Sequence, residues 1–382
     1  MNAYDSIKDK KLVVYLGNGG VGKTTVSAAT ALEAADRGEK TLVMTVDPAR
    51  RLADSLGIQY NGSKEVKVPG TDNLYALMID TKITMDELMQ RYIDVLDCSE
   101  ERKDALSDKV FKNRFYKKLT DHFAGSQEFI TIGKVYDLLE EKKYDKIIVD
   151  TAPARHAVDF LNMSTRVVSM FDSNLVKAVM YVRTKSSWGK KLMDMGIKKF
   201  MKKFKEYTSP EFIDDFLDFF ELFDPLIGGL EERAREMEKI LKDKDKTICC
   251  LVTSPNQQVV SETQYLANTL DILKLGFGYV AVNKVSTKSE FDELLLSDPT
   301  LMKAFVDSLT TKGVSDEVAK RFIEESFAAS HLNFAKHRLD RETIKTLKEP
   351  IKAPFYEIPT FDRSVYQLDA LREINKHLFS DR

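Results

Sequence analysis

The stretch LVVYLGNGGVGKTTVSAA, residues 12–29, decides the fold. An apolar run, LVVYL, leads into a glycine-rich turn and then into the helical pattern TTVSAATALEAADRG, which closes at Gly38. Gly17, four residues, then Gly22-Lys23-Thr24 satisfy the spacing G-x-x-x-x-G-K-[ST], in the strand–loop–helix context that this spacing needs. Glycines let backbone N–H groups turn inward around phosphate oxygens. Lys23 adds a point charge there, Thr24 offers a hydroxyl to Mg²⁺, and the dipole of the helix favours the anion. The expected phosphate site is therefore Gly17, Asn18, Gly19, Gly20, Val21 and Gly22, continued by Lys23, Thr24 and Thr25 at the helix start.

Outward from this loop, short β-rich runs recur, each followed by a helical pattern: TLVMTV (41–46), LYALMI (74–79), KIIVD (146–150), TICCLVT (247–253) and YVAVNKV (279–285). Near-continuous apolar strands between helices imply a mostly parallel sheet covered on both faces. The expected class is α/β, a doubly wound P-loop NTPase core with an inserted helical subdomain. Residues 1–82, 141–160, 245–287 and 349–382 read as the core, and 83–140 with 161–244 as the helical insertion. Residues 288–348 read as an additional helical segment. Pro354 and Pro359 in PFYEIPTFDRSV predict an irregular stretch before a closing helix.

A triphosphate loop needs a magnesium carboxylate at the end of another strand, and a group to orient the attacking water. Asp150 closes KIIVD and can hold Mg²⁺ through water, while Pro153 shapes a loop able to report the γ-phosphate. Asp47, in VDPAR at the end of the strand that follows the loop's helix, is the expected water-orienting residue. A carboxylate with an ordinary pKa near ~4 is a poor proton acceptor, so orientation is expected rather than abstraction.

Charges nearly cancel over the 382 residues, 58 Lys+Arg against 60 Asp+Glu, and give no global field for nucleic acid. Cys98, Cys249 and Cys250 make no even disulfide framework, and all three are expected as buried structural thiols, Cys98 on a helix. The polar beginning MNAYDSIKDKK and the absence of an apolar run of roughly 18 residues predict neither signal peptide nor membrane anchor, and hence a cytoplasmic protein.

GNGGVGKTT, VDPAR and VDTAPARHAVDFL, followed by TSPNQQVVSETQYLANTL, VAVNKV and IPTFDRSVYQLDALREI, resemble the arsenical pump-driving ATPase family, which includes the guided-entry ATPases that deliver tail-anchored membrane proteins. The resemblance covers most of the chain and is weakest in the helical regions. It implies ATP as ligand with Mg²⁺, a face-to-face dimer, Asp47 in one switch, and Asp150 with Pro153 in a second. It further implies that Asn283 meets adenine and that the loop around Pro359 closes over the base. A side-chain amide can both donate to and accept from the adenine edge. Glu262 resembles a recurrent family glutamate, and a solvated helix charge explains it equally well.

Three departures stand out. The family pattern GKGGVGKTT carries a lysine that crosses to the partner's nucleotide, and here Asn18 occupies that position. An amide can hydrogen-bond a phosphate oxygen but cannot neutralise it, so slow hydrolysis is expected of a homodimer, or a heterodimer in which a sister subunit supplies the lysine. The helical regions lack the cysteines that gather metalloid, around Ser126 for example, and 284–309 lack a C-x-x-C zinc pair. Between 163 and 201 lie six of the thirteen methionines, with Trp188, Leu192, Ile197 and Phe200 among them, a composition suited to a re-packing groove for a hydrophobic protein segment or to ordinary helix packing. The expected function is a nucleotide-controlled dimeric ATPase switch for such a cargo or a membrane-protein partner. The alternatives are an energising subunit of an anion or metalloid transporter, or a slow nucleotide-binding scaffold.

Overall fold

The computed structural model describes residues 2–46, 51–59, 62–114, 116–117, 126–153, 158–163, 232–288, 300–361 and 368–380. A 3-10 turn, Ala3–Ser6, precedes β1 (Leu12–Gly17), α1 (Lys23–Asp36), β2 (Thr41–Thr45), α2 (Arg51–Leu56), β3 (Val66–Lys67) and β4 (Leu74–Met78). Three helices follow, α3 (Thr81–Asp94), α4 (Glu100–Lys112) and α5 (Ser126–Glu140), and then β5 (Lys146–Asp150). The second half contains β6 (Thr247–Thr253), α6 (Gln257–Ile272), β7 (Phe277–Val285), α7 (Leu301–Thr311), α8 (Asp316–Lys348), β8 (Phe355–Pro359) and α9 (Leu368–Phe379).

The eight strands form one sheet in the order β3-β4-β2-β5-β1-β6-β7-β8. Every pairing is parallel except β3 with β4. Side chains of a strand alternate between faces. Leu12, Val14 and Leu16 of β1 therefore join one cluster with Leu88 and Met89 of α3, Ile130 and Val135 of α5, and Leu266 of α6. Val13 and Tyr15 join the other, with Val26 and Ala29 of α1 and Leu371 and Ile374 of α9. Helices on both faces of a parallel sheet make the α/β, doubly wound architecture expected from the strand runs. Full burial of one such leucine or isoleucine contributes about 2 kcal/mol, so the sheet is a stiff base for whatever its strand ends carry.

Two local expectations are corrected. Phe355–Pro359 is not irregular, because it pairs in parallel with β7 as the edge strand β8. Proline is compatible with a strand at an edge or an end, and Tyr356 and Ile358 are buried while their neighbours are half-buried. Cys98 lies in the connection between α3 and α4 rather than on a helix, and it is half-buried. In the expected helical insertion, α3 and α5 share their hydrophobic cluster with the sheet. Residues 164–231, with most of the methionine-rich stretch, lie outside the described residues.

Cys249 and Cys250 sit inside β6, both buried. Burial pushes the Cys249 thiol up to about 12, and that of Cys250 higher still. Since the thiolate is the reacting species, a thiol-specific reagent is expected to label one cysteine per folded chain, Cys98, and all three only after denaturation. Labelling of two or more in the native state, read by intact mass, would contradict this placement.

Candidate nucleotide site

At the C-terminal end of β1 the chain turns between two neighbours. Gly17 faces β6 so closely that a Cβ there would lie 2.1 Å from the carbonyl oxygen of Val252. Gly22, with φ +95°, has no room either, since an added Cβ would come within 2.2 Å of Asn283 Nδ2. Gly17 is thus required by the backbone it faces, and Gly22 by its left-handed conformation with the bonded Asn283 amide against it. Gly22 is also the N-cap of α1 and offers no side-chain cap, so the start of the helix, with its positive dipole end, faces the loop.

Lys23 and Thr24 open α1 and are buried. The Lys23 ammonium donates to the Asn18 carbonyl at 2.9 Å, so it is held inside the loop. Thr24 Oγ1 donates to Asp150 Oδ2 at 2.6 Å, and Thr45 Oγ1 of β2 donates to the same oxygen at 3.0 Å. The parallel register produces this meeting, because Asp150 pairs with Tyr15 on one side and Thr45 on the other. After β5, Thr151 Oγ1 donates to the Tyr15 carbonyl at 2.7 Å, and Pro153 Cγ lies 4.0 Å from where a Gly19 Cβ would be. The segment 151–153 therefore runs alongside the glycine loop.

Asn18 is only 5% exposed, and among the described residues neither its Nδ2 nor its Oδ1 has a hydrogen-bond partner. A buried amide left so costs about 1–3 kcal/mol per unsatisfied group. It is a polar group available to a ligand of the loop.

Asn283 and Lys284 close the site from β7. Asn283 Nδ2 donates to the Val21 carbonyl at 2.9 Å, and its Oδ1 accepts from the Lys284 N–H at 2.9 Å. Two of the four hydrogen bonds open to an asparagine side chain are thus used, which leaves one N–H and one lone pair. The Lys284 ammonium donates to the Gly20 carbonyl at 2.9 Å, and the residue has φ +62°, a left-handed conformation that costs a lysine about 1 kcal/mol. Pro359 pairs with Val285 just beyond, and Thr360 N–H donates to the Val285 carbonyl.

The structure thus brings together Gly17 to Thr24, Asp150, Pro153 and Asn283, with Pro359 on the adjoining strand. Asp47 lies outside the described residues, and Glu262 is exposed on α6. Two participants were not anticipated. Thr45 carried a weak signal, a hydroxyl closing an apolar strand two residues before Asp47. Lys284 carried none, because a regular strand would point it away from its neighbour Asn283.

The donors fit magnesium with a nucleoside triphosphate. Thr24 and Asp150 are hard oxygen ligands, and among the described residues no group of three His, Cys, Asp or Glu could hold a metal alone. Hard oxygen donors suit an ion that takes the rest of its shell from phosphate and water. Strand, glycine loop, helix and strand-end carboxylate define a P-loop nucleoside triphosphatase fold.

Comparison with known proteins agrees. Residues 10–320 match the family described as anion-transporting ATPase, and the chain belongs to that family. It is 25% identical to ATPase ASNA1 homolog 2 of Paramecium tetraurelia over 77% of this chain and 81% of that protein. It is 34% identical to ATPase GET3 of Malassezia globosa over 50% and 51%, and 25% identical to ATPase GET3C of Arabidopsis thaliana over 76% and 71%. Among the described residues no helix is long and apolar enough to cross a membrane.

The close approach at the loop's base is directly testable. Gly17→Ala forces β1 and β6 apart, and is expected to cost about 3 kcal/mol, read as a lower urea midpoint at unchanged slope. A midpoint equal to that of the parent would show that the strands are not so tightly apposed.

Proposed function

We propose that the protein hydrolyses ATP with Mg²⁺ and converts the nucleotide state into movement of its helical regions. The observation that carries this reading is the hydrogen bond from Thr24 to Asp150, which joins the phosphate loop to the strand that leads into Pro153. Lys23 exchanges the Asn18 carbonyl for phosphate oxygens, and the first-turn amides of α1 add further donors. Thr24 and Asp150, the latter through water, would hold magnesium, which would supply positive charge against the phosphates. Asp47 orients the attacking water. Asn283 spends its remaining donor and acceptor on N7 and N6 of adenine, a pairing that guanine, with acceptors at both positions, does not offer. Pro359 flanks the base from β8.

The protein acts on this reading as a dimeric switch, a homodimer or a heterodimer with a lysine-bearing sister subunit. Residues 83–140 and 161–244 serve as arms that handle a hydrophobic protein segment or a membrane-protein partner, supported by the methionine-rich amphipathic sequence between 163 and 204. Coupling to a soft metalloid is disfavoured, since Cys249 and Cys250 are sealed inside β6. Asn18 supplies an amide where charge in trans accelerates phosphoryl transfer by orders of magnitude. A low intrinsic rate follows.

Lys23→Ala is expected to lose ATP binding or turnover in a phosphate-release assay, and full activity in that variant would remove the loop from the mechanism. Asn18→Lys is expected to raise homodimer turnover by about tenfold or more. An unchanged rate would mean that a step other than charge stabilisation is slow.

A further inference from the structure

The last turn of β7 does something that a regular strand does not. Consecutive strand side chains point to opposite faces, yet Asn283 and Lys284 both reach the phosphate loop, to the carbonyls of Val21 and Gly20. The backbone makes this possible. Pairing with β8 shifts register between Val282 and Val285, and Lys284 takes a left-handed conformation at that irregularity. The Asn283 side chain stabilises the turn by accepting from the Lys284 N–H. Bulges of this kind re-aim side chains beside functional sites.

Two residues on, Ser286 is clamped through its backbone. Its N–H donates to Asp340 Oδ2 at 2.8 Å, and its carbonyl accepts from His337 Nδ1 at 2.8 Å, both from α8. Its hydroxyl is different. The residue is 9% exposed, and among the described residues Ser286 Oγ has no hydrogen-bond partner. A buried hydroxyl without a partner, on a residue fixed so firmly, calls for an explanation, and a ligand supplies one.

We propose that residues 283–286 form the purine platform of the site. In it Lys284 lays its aliphatic stem along the base while its ammonium stays anchored on Gly20, and Ser286 offers its hydroxyl to the base edge. The inference rests on the nucleotide reading given above. An ammonium held by a carbonyl leaves a four-carbon apolar stem with little freedom, a suitable surface for a flat ring. Strain at Lys284 is then compensated by function, as left-handed non-glycine residues at ligand clamps commonly are. A hydroxyl that can donate or accept suits a purine edge of mixed polarity.

Calorimetry on the full chain with Mg-ATP, and separately with Mg-tripolyphosphate, tests this. Lys284→Ala is expected to weaken ATP about tenfold and Ser286→Ala about fivefold, with tripolyphosphate affinity unchanged in both. Lys284→Arg, which keeps stem and charge, is expected to restore ATP affinity to within about threefold of the parent. Equal losses for ATP and tripolyphosphate would assign Lys284 to the phosphate loop alone and overturn the platform, as would ATP affinities unaltered by both alanine variants. If the parent chain binds tripolyphosphate and ATP equally, the base is not read and the platform fails while the phosphate loop stands. A parent that binds neither overturns the nucleotide reading itself. Circular-dichroism melting curves matched to the parent confirm that each variant is folded.

Discussion

No side chain fits between the backbone of Gly17 and the carbonyl of Val252, nor between Gly22 and the amide of Asn283. These two contacts pin both ends of the glycine loop against the ends of β6 and β7, and the rest of the site follows from them. The loop cannot drift outward, because its ends are held by strands that are buried on both faces along most of their length. Lys23 and Thr24 enter α1 from a fixed point. The small residues of α1, with Ala28, Ala29 and Ala31 fully buried, let the helix lie close to the sheet and carry the loop with it.

The position of β1 in the sheet matters as much. It lies between β5 and β6, with α1 crossing one face and α3 and α5 covering the other. Open α/β sheets bind ligands beyond the carboxyl ends of their strands at such a reversal of order. Here the reversal also aligns three strand ends in register, so that Thr45 and Thr24 meet on one oxygen of Asp150. A displacement of β5's exit therefore acts on both the loop helix and β2, the strand that leads to Asp47.

Much of this was legible in the sequence. The glycine spacing, the apolar runs and the carboxylate closing KIIVD are local signals with one physical reading each, and β1, β2, β4, β5, β6 and β7 all fall on the expected runs. What was illegible depends on tertiary pairing. β8 is bounded by prolines, which argue against a strand unless one knows that it lies at the edge. Lys284 was hidden because alternation, the rule that identifies strands, predicts the wrong direction at a bulge. Cys98 was expected on a helix because apolar spacing continues through it, while the chain turns there between α3 and α4. The family likeness singled out Asn283 for adenine. That likeness could not reveal that its amide also braces Val21, since a hydrogen bond across 262 residues leaves no trace in spacing.

Ser286 is gripped by His337 and Asp340, about three-quarters of the way along a helix that begins at Asp316. At 1.5 Å per residue the distance from Asp340 back to that beginning is about 36 Å. The helix is thus a long pointer on a short pivot. A rotation of about 5° where it holds the strand sweeps its distant tip through about 3 Å, and that tip carries Val318 and Phe322 uncovered on its surface.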